Sequence, residues 1–199
     1  MTRFPALLSA AALLLMTSAS CLQIPVDHLP DEPLKKYTPS LSRPEMTFSV
    51  EQIIDGPFGR EDGIATQKVL IQYIGSQLWE SGAFRKVAYK PFSARSSYHI
   101  HFIAHYSTLP RNESSLRYAV AAVSFFIIPI RIESDLDMTA IVYRKDKAVY
   151  APIASASLHN YMWLGFLPAG LVWNNWWAWT VQEKKCSHLL VNRIVQSKR

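Results

Sequence analysis

Ser97-Tyr-His-Ile-His-Phe-Ile-Ala-His-Tyr-Ser107 is the stretch that decides the fold. Apolar or aromatic residues occupy every second position from Tyr98 to Tyr106, and three histidines occupy positions between them. Successive side chains of a β-strand point to opposite faces of a sheet. The pattern therefore predicts a half-buried strand with one face in the core and a histidine-bearing face outside it.

The segments around this strand add further strands and two helices. The patterns predict strands at residues 47–54, 85–91 and 135–151, the last as a hairpin, and helices at 64–81 and 181–195. Helices segregated over a sheet of this kind form two layers around one core. We therefore predict an α+β fold, a two-layer sandwich of a mostly antiparallel sheet with two helices, over residues 47–199.

The histidine face raises the possibility of a metal site. His99 and His101 form a His-x-His pair, whose side chains project to one side of a strand and can share a zinc ion, with His105 two positions beyond Ile103. No Asp or Glu lies between Glu80 and Glu113 to support such a site locally. We therefore favour a solvated strand face, predict no metal and no cofactor, and keep the three histidines as candidates if a metal binds.

The N-terminus has the pattern of an export signal. Arg3 precedes an apolar run at 6–16, which is too short to span a bilayer, and small residues follow up to Cys21. The segment resembles the bacterial lipoprotein signal that signal peptidase II cuts before a lipid-modified cysteine, although Ser18 stands where that family usually has Leu. The resemblance implies a signal peptide at 1–20, acylation (diacylglyceryl and palmitate) of Cys21 and contact with membrane lipid through it.

Two alternatives remain open at this cysteine. Ser18 and Ser20 also fit ordinary signal peptidase, which would cut at the same bond, and an unmodified Cys21 would be expected to pair with Cys186 in an oxidising compartment. Leu22 follows the cysteine instead of the Asp that retains enteric lipoproteins at the inner membrane. The resemblance therefore implies the periplasmic face of the outer membrane of a Gram-negative envelope.

Residues 21–46 contain five prolines among polar residues. Proline at this density favours an extended, semi-rigid chain. We predict a spacer between the acylated Cys21 and the domain at 47–199.

Two uncharged runs, 118–130 and 161–179, stand out in the domain, and the second contains five of the six tryptophans. Trp favours the membrane–water boundary, and large apolar patches mark interfaces. The predicted strand order places both runs at the same end of the sheet. The candidate contact residues are Phe125, Phe126, Trp163, Phe166, Trp173, Trp176, Trp177 and Trp179.

Four interpretations of these runs compete. They contact the bilayer, dock on an envelope protein or a second copy of the chain, fold back as core, or, for 161–179, span the membrane as a helix. Pro168, Asn174 and Asn175 interrupt the spanning interpretation. A cysteine anchor also makes a spanning helix unnecessary for attachment. We favour membrane contact, followed by docking on a protein partner.

Other function classes receive little support from the sequence. No nucleophile, zincin or phosphate-loop motif is present, and the charge outside the C-terminus is nearly balanced, so we predict neither an enzyme nor a nucleic-acid-binding protein. Residues 47–107, with a helix ending at Glu80-Ser-Gly-Ala-Phe84, resemble TolB N-terminal-domain-like envelope lipoproteins. We expect a non-catalytic assembly or accessory component, with a lipid- or cell-wall-fragment-binding protein or a membrane-spanning subunit as alternatives.

Overall fold

The computed structural model describes residues 21–26, 29–30, 32–37, 43–56, 59–62, 64–107, 130–162 and 175–197. Within these ranges an eight-stranded sheet is covered on one face by two helices. The prediction of a two-layer α+β sandwich is confirmed.

The elements follow the chain in this order. The strands are β1 Cys21–Pro25, β2 Glu45–Gly56, β3 Gly59–Asp62, β4 Lys86–Tyr89, β5 Tyr98–Ser107, β6 Ile130–Arg144, β7 Lys147–Tyr150 and β8 Ile153–Met162. The helices are α1 Ile64–Glu80 and α2 Asn175–Gln196, with a one-turn 3₁₀ helix at Phe92–Ala94.

The sheet runs in the order β1-β8-β6-β5-β2-β3, with β4 beside the first half of β2 and β7 beside the end of β6. Most pairs are antiparallel, but β2 is parallel to both β4 and β5. Parallel neighbours need a crossover connection, and α1 supplies it between β2 and β4. β5 therefore lies near the middle of the sheet, as its strong alternation indicates.

The core lies between the sheet and the helices. Ile100, Phe102 and Ala104 of β5 are fully buried against apolar side chains of α1 and α2, among them Leu78 and Leu190. Burying one large aliphatic or aromatic side chain stabilises a fold by about 1.5–3 kcal/mol. The histidines of β5 project to the opposite face of the sheet, so the predicted division of this strand is confirmed. The prediction that this face is solvated is wrong for His99 and His101, which are buried because the Phe92 ring lies over them.

Two turns contain residues with positive φ. Gly82 ends α1 with φ +63°, the left-handed conformation that glycine adopts without strain. Lys145 and Asp146 join β6 to β7 with φ of 47° and 66°, as a tight hairpin turn requires. The predicted hairpin is therefore confirmed, although its second strand is followed by a separate strand, β8.

The segment at 21–46 differs from a free spacer. β1 pairs along its whole length with β8, and Leu29, Leu34 and Tyr37 pack against the core. Pro25 lies at the end of β1, an edge strand, where a missing N–H is tolerated. The apolar residues between the prolines then provide a reason for the chain to lie on the domain.

A second difference concerns residues 161–179. Tyr161 and Met162 belong to β8, whereas Asn175 begins α2. A single spanning helix over this whole run is therefore wrong, because its first residues pair in the sheet. Among the described residues, neither helix has both the length and the apolar sequence needed to cross a bilayer.

Candidate functional site

One end of the sheet brings together the positions that the sequence singled out. Cys21 pairs with Met162 across β1 and β8, and Met162 pairs with Ile130 across β8 and β6. Neighbouring strands lie about 4.8 Å apart, so the backbone of Cys21 is about 5 Å from Met162 and roughly 10 Å from Ile130. Residues 118–130 enter the sheet here, and residues 161–179 leave it here.

Helix α2 is oriented toward the same end. Glu183 accepts a hydrogen bond from the Tyr106 hydroxyl near the end of β5 (2.6 Å), and Arg193 donates to the carbonyl of Ile153 at the opposite end of β8. Asn175 lies eight residues before Glu183, or about 12 Å along the helix axis. The first turns of α2 therefore extend toward the row formed by Cys21, Met162 and Ile130, which we call the anchor row.

The structure describes only part of the predicted contact set. Trp176, Trp177 and Trp179 lie in the first turns of α2. Phe125, Phe126, Trp163, Phe166 and Trp173 lie outside the described residues. The backbone therefore shows where both apolar runs join the sheet, and the contacts of their side chains stay a prediction.

The opposite end of the sheet has a different character. The turn between β6 and β7 carries Arg144, Lys145, Asp146 and Lys147, all exposed. The sheet therefore has a charged end and an end from which uncharged sequence departs.

Buried polar groups lie between α2 and the sheet. Burial raises the pKa of the Glu183 carboxyl, while the hydrogen bond from Tyr106 opposes that shift; burial and Glu183 together raise the pKa of Tyr106. Burial also raises the pKa of the Cys186 thiol to about 12. Cys186 is fully buried, so it has the environment of an inert thiol, not a reactive one.

On the face of the sheet opposite the helices, β2 and β5 form a continuous chain of hydrogen bonds. Thr47 Oγ1 lies 2.8 Å from His99 Nδ1, and Ser49 Oγ lies 2.8 Å from His99 Nε2. Ser49 Oγ also lies 2.7 Å from His101 Nδ1, and His101 Nε2 lies 3.3 Å from Glu51 Oε2. We call these five residues the histidine chain.

A short segment covers the buried part of this chain. The Phe92 ring lies 5.7 Å from the His99 ring and 4.7 Å from the His101 ring, and the Arg95 guanidinium lies on Phe92. Burial, the neighbouring His101 and Arg95 lower the pKa of His99 to about 4. Burial also lowers the pKa of His101, but Glu51 opposes that shift.

The third histidine pairs separately. His105 Nε2 lies 2.5 Å from Asp55 Oδ2, one strand away on β2. Both ring nitrogens of His99 and of His101 have hydrogen-bond partners, so binding a metal there would break these bonds. Across the described part of the chain, no group of three or more His, Cys, Asp or Glu side chains is placed to hold a metal ion.

The sequence of β5 alone does not reveal the carboxylates that pair with these histidines. Glu51 and Asp55 come from β2, about fifty residues earlier, and reach β5 because the two strands pair in parallel register. The signal in the sequence is the alternation of Thr47, Ser49 and Glu51 along β2. It indicates a polar sheet face, and only the strand pairing shows which histidines that face meets.

Comparison with known proteins assigns the chain to no family. No protein-family model and no curated protein sequence matches the chain. Structures with a related arrangement include a Xanthomonas campestris protein of the DUF330 family, with 10% identity, a TM-score of 0.38, and coverage of 82% of this chain and 90% of that one.

Two further structures are similar to the same degree. PelC from Paraburkholderia phytofirmans, crystallised as a dodecamer, has 11% identity and a TM-score of 0.31, with coverage of 85% and 95%. A Helicobacter pylori protein described as a homologue of a neuraminyllactose-binding hemagglutinin has 10% identity and a TM-score of 0.38, with coverage of 86% and 97%. At these sequence identities and TM-scores, the similarity indicates neither a function nor an assembly for this chain.

Proposed function

We propose that this protein is a lipid-anchored, non-catalytic accessory component of the bacterial envelope, held at the periplasmic face of the outer membrane. The acyl chains on Cys21 and the two apolar runs would enter the same leaflet. The anchor row is the observation that supports this proposal, because it joins all three segments at one end of the sheet.

The geometry gives the anchor row a specific consequence. A lipidated Cys21 would be the first residue of β1, so the acyl chains would start directly from the sheet with no free linker. The runs 118–130 and 161–179 join the sheet within about 10 Å of that point. A bilayer that holds the acyl chains therefore lies within reach of both runs.

The acyl chains and the apolar runs would have different roles. Two acyl chains already give stable attachment, at about 0.8 kcal/mol for each buried CH₂ group. The apolar runs therefore add little to the affinity that is needed, and their contribution is to fix orientation. The charged turn between β6 and β7 would then face away from the membrane.

Intact-mass analysis of the protein purified from an envelope fraction tests the lipid anchor. We expect the mass of a chain that starts at Cys21 and carries diacylglyceryl and an amide-linked acyl chain. An unmodified chain that starts at Cys21 contradicts the anchor, and a Cys21→Ala variant is the control for loss of the added mass.

Photocrosslinking in cells tests the orientation. A photoreactive residue at Trp163 or Trp176 should crosslink to phospholipid, whereas one at Asp146 in the β6–β7 turn should not. A single protein adduct from Trp163 and Trp176, without lipid, replaces membrane contact by a protein partner. An adduct to the chain itself indicates a second copy or core packing.

A further inference from the structure

The hydrogen-bond contacts of the histidine chain determine which of its atoms carry protons. Its two outer ends are reached from solvent, since Glu51 is exposed and Ser96, beside Thr47, is half-buried. His99 between them is fully buried. While it is neutral, a buried imidazole with a hydroxyl on each ring nitrogen can donate a hydrogen bond from one of the two nitrogens and must accept at the other.

With both histidines neutral, one direction satisfies every contact among the five residues. An ionised Glu51 only accepts, so His101 Nε2 carries a proton and His101 Nδ1 accepts from the Ser49 hydroxyl. Ser49 Oγ then accepts from His99 Nε2, and His99 Nδ1 accepts from the Thr47 hydroxyl. All donors in the chain therefore point toward Glu51.

With His101 protonated, the opposite direction also satisfies every contact. Both His101 nitrogens now donate, so the Ser49 hydroxyl must turn toward His99 Nε2. His99 then donates from Nδ1 to Thr47 Oγ1, and the Thr47 hydroxyl turns to Ser96 Oγ, 2.9 Å away. Ser96 keeps its own proton on the Tyr98 carbonyl.

We infer that the histidine chain is a one-proton switch, in which uptake of a proton at His101 reverses the hydrogen-bond direction and changes the tautomer of His99. One proton enters from solvent, and no other group is consumed. In a concerted shift, protons move from Thr47 to His99 Nδ1, from His99 Nε2 to Ser49 and from Ser49 to His101 Nδ1. Thr47 takes a proton from Ser96 Oγ, and Ser96 takes the new proton from solvent.

The charge settles on His101 because of the groups around the chain. Glu51 on β2 faces His101 Nε2, whereas His99 faces only the hydroxyls of Thr47 and Ser49. Arg95, which pairs with Asp146, lies near His99 and disfavours a second positive charge there. Tyr143 on β6 also has its ring beside His99.

The covering segment at residues 92–96 makes different hydrogen bonds in the two protonation states. The protonated arrangement adds a hydrogen bond from Thr47 to Ser96, so it ties the residues after the 3₁₀ helix to β2. Protonation should therefore hold residues 92–96 more firmly on the sheet.

Nitrogen-15 NMR of histidine-labelled full chain in non-ionic detergent tests this inference between pH 8 and pH 5. At pH 8 both histidines should carry their proton on Nε2. As His101 becomes doubly protonated, His99 should stay neutral and change to the Nδ1–H tautomer with the same midpoint. A His99 tautomer that does not change while His101 titrates overturns the inference.

Variants separate the switch from simple titration. Glu51→Gln, at an exposed side chain, should move both transitions together to lower pH by at least half a unit, and unchanged midpoints overturn the inference. Asp55→Asn, which touches His105, should leave both midpoints in place. Ser49→Ala should uncouple the two histidines; if that variant fails to fold, Glu51→Gln with its Asp55→Asn control decides.

Discussion

Replacing Asn192 tests whether the chain after β1 belongs to the fold. Asn192 is buried in α2; its amide donates to the Pro33 carbonyl (3.1 Å), and its carbonyl accepts from the Lys35 N–H (2.9 Å). Asn192→Leu keeps the number and branching of the side-chain heavy atoms and leaves both backbone groups without a partner. Each such group costs about 1–3 kcal/mol, and both are partly exposed, so we expect a loss of about 2–4 kcal/mol in the free energy of unfolding.

Urea unfolding of the full chain in non-ionic detergent, followed by Trp fluorescence, measures this loss. Trypsin cleavage after Lys35 or Lys36 under native conditions reports whether the segment has left the domain. Lys184→Leu, on the exposed side of the same helix, should change stability by less than about 0.5 kcal/mol. If Asn192→Leu matches that control, and trypsin cleaves after Lys35 or Lys36 as fast in the wild-type chain as in the variant, this segment is a spacer after all.

The remaining predictions concern three buried positions. The pKa of His99 is about 4 in the fold and 6.5 in the unfolded chain, so the unfolded state binds more protons between these pH values. The free energy of unfolding should therefore fall as the pH falls, by roughly 3 kcal/mol from this group at most. The urea midpoints at pH 7 and pH 4.5 should differ less in His99→Gln than in the wild-type chain. Cys186, with its pKa near 12, should resist alkylation at pH 8 in the native chain and react fully in urea, so labelling of its peptide in the native protein would contradict the burial. Gly82→Ala should destabilise by at least 2 kcal/mol in thermal or urea unfolding, because φ is +63° and the added Cβ would lie 2.2 Å from the Tyr37 carbonyl oxygen; a loss under 0.5 kcal/mol would show that the contact is relieved.

Periodicity within single segments was enough to predict much of the fold. The alternation of β5 and the helical pattern of α1 are local signals, and both predicted elements are confirmed. The prediction that both uncharged runs join one end of the sheet needed only the up-and-down order of strands. The register of Ile130 and Met162 confirms it for the points where the runs meet the sheet.

What could not be predicted depends on pairs of distant residues. Proline content describes backbone shape, but it does not reveal that β1 finds a partner in β8. In the same way, Glu51 and His101 read as unrelated polar residues until β2 and β5 are known to be parallel neighbours. Long-range pairing adds information that composition and periodicity do not contain.

The pairing of β1 with β8 also fixes an order of events during folding. β1 begins at Cys21, and its partner strand ends at Met162, so a chain released N-terminus first holds β1 unpaired until most of the domain has emerged. Contacts of such large sequence separation form slowly, and an unpaired strand edge invites association with other chains. Closure of this edge is therefore the step at which we expect refolding to be slowest, and at which two copies could exchange β1.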